Sequence, residues 1–123
     1  MGHHLFFREG KALPMGDFDV ALTRHFLVES ANRLENHQLA RAISEWDYQG
    51  PGVWVGIKET ALADQGAVFE TAIEIAQQIG ELIPVDYLNE NVRLPGGRWL
   101  KDQDTSDVVA RIRKLKQHLI NKA

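Results

Sequence analysis

GAVFETAIEIAQQIGELIP, residues 66–84, is the stretch that decides the fold. Val68, Phe69, Ala72, Ile73, Ala76, Ile79 and Ile83 recur at intervals of three and four, the spacing that stacks side chains on one face of a helix. Pro84 has no amide hydrogen and forbids continuation. The spacing therefore predicts a helix over 66–82.

Upstream, VWVGIK at 53–58 alternates Val53, Val55 and Ile57 with Trp54, Gly56 and Lys58, a period of two that predicts a central strand. Gly50-Pro51-Gly52 before it is a turn that closes a preceding helix. That helix carries Leu39, Ala42, Ile43 and Trp46. An earlier helical stripe runs through Phe18, Ala21, Leu22, His25 and Val28, with Asp17 as its expected N-cap. The period falters at ANRLENHQ, which predicts either two helices or one bent helix. HLFFR at 4–8 reads as a short strand, and EGKALPMGD as turn material.

Downstream of Pro84, VDYL and NVRLPGGRWL predict two short antiparallel strands joined at Pro95-Gly96-Gly97. A last helix follows, capped by Ser106. Val108, Val109, Ile112, Leu115, Leu119 and Ile120 face inward, and Arg111, Arg113, Lys114 and Lys116 face outward. The expected architecture is α/β (α+β): a small mixed sheet of short strands packed with about four helices, one layered domain over 1–123.

Composition bounds the chemistry. Hydrophobic residues make up 44% of the 123-residue chain and charged residues 25%, close to the globular average. With no cysteine there is no disulfide framework, thiolate metal site or cysteine nucleophile. The N-terminus has only a three-residue apolar run before Arg8, and Phe6 stands where a myristoylation motif needs Ser or Thr. No apolar run approaches the length that spans a bilayer. A cytoplasmic protein without a membrane partner is the expectation.

No catalytic signature emerges. The five histidines lack the spacing that sets two imidazoles on one helical face around a metal. His25 and Glu29 lie one turn apart, which reads as a helix-surface pair, and His37 and His118 as solvated positions. Ser30, Ser44 and Ser106 lack a glycine-flanked elbow. Glu70 and Glu74 share a helix face without the environment of a tuned acid and base. In LPGGRWL a hairpin turn explains the glycines without a phosphate. The expectation is no catalytic residue, no metal and no cofactor.

Charge is the informative feature. The net is −3, from 14 basic and 17 acidic residues, which argues against nucleic acid as a partner. Glu59, Asp64, Glu70, Glu74, Glu81, Asp86 and Glu90 follow one another with no Lys or Arg among them. Residues 101–123 hold six basic residues against three acidic ones. A long acidic face suits a basic protein partner. With Trp54 and Trp99, whose residue type concentrates at binding hot spots, these seven carboxylates form the candidate partner-binding set. The alternative is that the basic final helix neutralises the acidic one within the fold.

The function class these features favour is a non-enzymatic binding protein, most concretely a cytosolic immunity protein or inhibitor that neutralises a toxin such as a nuclease by mimicking phosphate. Two other classes compete. One is a small enzyme acting on an anionic or phosphorylated metabolite through Arg93, Arg98 and His25. The other is a structural subunit of a homo-oligomer or permanent complex.

Overall fold

The computed structural model describes residues 3–8, 11–44, 47–49, 52–54, 66–94 and 97–120. The chain is a mixed α/β protein. In chain order its elements are β1 (His3–Arg8), β2 (Lys11–Gly16), α1 (Asp17–Arg33), α2 (His37–Ser44), β3 (Asp47–Gln49), β4 (Gly52–Trp54), α3 (Gly66–Ile79), β5 (Leu82–Ile83), α4 (Val85–Asn91), β6 (Gln103–Asp104) and α5 (Thr105–Ile120).

A four-stranded mixed sheet has the order β2-β1-β4-β3. β1 pairs antiparallel with β2 and parallel with β4, where Phe6 meets Val53 and Phe7 meets Trp54. β3 returns antiparallel to β4. The central position expected for the 53–58 strand holds for β4, while Val55, Gly56, Ile57 and Lys58 lie outside the described residues. Two strands of this sheet differ from the sequence-based expectation. KALPMG reads as a turn because of its Pro and Gly, yet it forms the sheet's edge, where a missing amide hydrogen is tolerated. Asp47–Gln49 reads as a helix stop but pairs with Gly52–Trp54.

α1 is the central helix, in contact with α2, α3, α5 and both β1 and β2. Val20, Ala21, Leu22 and Thr23 are buried in succession, followed by Phe26, Leu27, Ser30 and Ala31. Its buried surface therefore extends well round the helix, and the expected stripe is corrected: Phe18 is 55% exposed. The expected cap is corrected too, since Asp17 is the first helical residue and Gly16 stands at the N-cap with no side-chain bond.

Two separate helices follow rather than one bent helix. Glu35 adopts φ 61°, with Asn36 N–H donating to the Ala31 carbonyl and Glu35 N–H to that of Asn32. This is a Schellman stop with Glu in the place glycine usually takes. Asn36 then caps α2, its Oδ1 accepting from the Leu39 amide at 3.2 Å.

α3 buries Val68, Phe69, Ala72, Ile73, Ile75 and Ala76 against α1 and α5. It ends before Pro84, at Gly80, whose φ of 136° glycine adopts freely and residues with an L side chain rarely do. Pro84 instead stands at the N-cap of α4, so VDYL is helical where a strand was expected, which makes five helices among the described residues. The expected hairpin shrinks to one antiparallel bridge, Leu94 with Gly97. α5 begins at Thr105, ahead of the start that a Ser106 cap implies, and is capped by Asp104, whose carboxylate accepts from the Ser106 amide at 2.9 Å and hydroxyl at 2.7 Å. These bonds hold the Asp104 carboxyl below its ordinary value.

Candidate functional site

The geometry of the acidic region follows from how α3 and α5 lie together. Lys116, late in α5, meets Glu70, early in α3, at 2.8 Å. Thr105, at the start of α5, bonds the Gly80 and Glu81 carbonyls just past the end of α3. The two helices are therefore antiparallel, and the basic helix runs beside the acidic one.

Neutralisation within the fold is realised at Glu70, and Arg111 of α5 pairs instead with Asp19 of α1 at 3.1 Å. The other described carboxylates of the acidic run stay open. Glu74 lies on the outer face of α3, Glu81 follows Gly80, and Asp86 and Glu90 lie on α4; all four are exposed and none forms an ion pair with a described residue. The helical period explains the arrangement, because α3 buries its apolar face and turns Glu70 and Glu74 outward.

Leu82, next to Glu81 in the chain, is 53% exposed. Its neighbour Ile83 is fully buried, as the alternation of β5 requires. Leu82 borders a surface groove of about 850 Å3 between the end of α3 and the start of α5, with Glu81, Asp104, Val109 and Arg113 on its walls. Sequence reasoning missed Leu82, since only the two-residue strand turns it outward.

The remaining site residues fall elsewhere. Glu59 and Asp64 lie outside the described residues. Trp54 is the last residue of β4, opposite Asp47 on one side and Phe7 on the other. Trp99 is 3% exposed and its indole donates to the Val92 carbonyl at 2.7 Å, which removes it from any contact surface. Phe18 covers it at a ring distance of 5.2 Å.

His25 is half-buried and within the influence of Glu29, and its hydrogen-bond partner is Tyr87, whose hydroxyl lies 3.0 Å from Nε2. Burial lowers the His25 pKa from its ordinary value, with Glu29 opposing the shift. Burial and Glu29 together raise that of Tyr87. His37 is exposed as expected, its Nδ1 3.0 Å from Asn32 Oδ1, whereas His118 is half-buried.

Each serine hydroxyl is engaged: Ser30 donates to the Val68 carbonyl, Ser44 to that of Arg41, and Ser106 to the Asp104 carboxylate. Among the described residues no three His, Asp or Glu side chains form a group able to hold a metal ion. Nor is any helix of the described residues long and apolar enough to cross a membrane. Arg93 and Arg98 line one cavity of about 530 Å3, and His25 is not part of its lining.

Comparison of the chain with protein-family models, with curated proteins and with solved structures finds no match.

Proposed function

We infer that this chain is a binding protein that presents an acidic edge to a basic protein partner. In its most concrete form it is an immunity protein or inhibitor that covers the phosphate-gripping cleft of a toxin such as a nuclease.

The observation that carries the reading is the open state of Glu74, Glu81, Asp86 and Glu90, exposed and without an ion pair among the described residues. Uncompensated carboxylates on neighbouring elements raise a negative field that accelerates encounter with a basic surface. Leu82 adds exposed apolar area beside Glu81, and an interface combines a desolvated centre with a polar rim.

The test is affinity capture from the native cell with the parent chain and with a Glu74→Lys, Glu81→Lys, Asp86→Lys variant. A stoichiometric basic protein retained by the parent and lost by the variant supports the reading. A partner held equally by both overturns it.

A further inference from the structure

The bridge between Leu94 and Gly97 carries two arginines that the acidic edge does not use. One residue outward from that bridge, on its two sides, stand Arg93 and Arg98, which the register makes cross-strand neighbours. One step further out, the Trp99 indole donates to the Val92 carbonyl and ties the two sides together. Val92, Leu94 and Trp99 are buried, whereas Arg93 and Arg98 are exposed, and both arginines line one cavity of about 530 Å3.

Like charges directly opposite one another are destabilising. Neither arginine forms an ion pair with a described residue. The cavity that both line includes one carboxylate, Glu90, which leaves one positive charge in excess. The segment is also held in place: Asn89 of α4 accepts from the Trp99 amide at 2.7 Å and donates to the Trp99 carbonyl at 3.1 Å. Fixed backbone and paired guanidinium groups, each a planar fork of five donors, are what an oxyanion requires.

We propose that Arg93 and Arg98 form a binding site for a phosphate group, either free phosphate or a phosphate monoester, gripped by the two guanidinium groups. A dianion relieves their repulsion and takes charge-assisted hydrogen bonds from both. The site takes a ligand of the opposite sign and shares only Glu90 with the acidic edge, a residue that neither set of variants changes, so the two readings are tested independently.

The experiment is an amide NMR titration of the whole chain at constant ionic strength, with inorganic phosphate in one arm, glycerol phosphate in a second and sodium chloride as the control. Saturable shifts concentrated at residues 89–99 in either phosphate arm, absent with chloride, are expected, and the tighter arm identifies the source. Arg93→Gln and Arg98→Gln should each weaken binding by roughly tenfold or more, while keeping the parent's Tm because both side chains are exposed. Shifts that do not saturate, or affinities unchanged in both variants, would overturn the site.

Discussion

His25 and Tyr87, 62 positions apart in the chain, join α1 to α4 by a hydrogen bond of 3.0 Å between the imidazole Nε2 and the phenol. Their rings meet edge to face, with centroids 5.9 Å apart. The imidazole is thereby committed to structure and to the neutral form, since burial opposes its charge more than Glu29 favours it.

A pH dependence follows. The folded His25 binds a proton less readily than the unfolded one, whose pKa is about 6.5. Stability from this group is therefore fully present above pH 6.5 or so and is lost as pH falls from there through the lowered folded value. Tm measured from pH 7.5 to 5 should fall faster in the parent than in His25→Gln, which does not titrate. Parallel curves would remove His25 from the pH response.

Glu35 is a second point where the chain departs from what its conformation favours. It occupies the left-handed region at φ 61° in the Schellman stop of α1, where glycine meets no Cβ penalty. Glu35→Gly should raise stability by about 0.5–1 kcal/mol, read from denaturant midpoints. A loss of stability would mean that the carboxylate does more than close a turn.

Ile73 tests the core. It is buried on the face of α3 that meets α1 and α5, and Ile73→Asp sets an unpaired carboxylate there, a change that costs several kcal/mol. The variant should lose its cooperative melting transition by circular dichroism. Retained melting near the parent's temperature would contradict the packing of α3.

Legibility in the sequence tracked the contrast between faces. α3 buries one side and exposes the other, so Val68, Phe69, Ala72, Ile73 and Ala76 announce it. α1 buries four residues in a row at Val20–Thr23, which weakens that contrast, and the three-and-four spacing that includes Phe18 meets an exposed side chain. α4 has seven residues, too few to display a period. Its proline, which the sequence pattern reads as a terminator of α3, is the N-cap of α4. Pro14 hid an edge strand because proline signals a turn almost everywhere else. The acidic run was visible as charge, but which carboxylates stay open depends on where Lys116 and Arg111 land, and that is tertiary information.

Glu70 and Glu74 separate internal neutralisation from partner attraction. They are one turn apart on α3, yet Glu70 holds Lys116 at 2.8 Å while Glu74 has no ion pair among the described residues. Glu70→Lys exchanges an attraction for a repulsion at a half-exposed site, so it should lower stability by about 0.5–1 kcal/mol, and Lys116→Glu in the same chain should restore most of that. Glu74→Lys with Glu81→Lys disturbs no pair and no packing, so Tm should stay within about a degree of the parent's. The association rate should respond in the opposite way. Against the captured partner, reversal of Glu74 and Glu81 should slow association and flatten its dependence on salt, because the steering field comes from uncompensated charge. The swapped Glu70–Lys116 pair leaves the net charge unchanged and should associate near the parental rate. Rates and salt slopes measured at two ionic strengths decide the matter: if the Glu74, Glu81 variant matches the parent in both, the open carboxylates are a solvated face and the partner binds elsewhere.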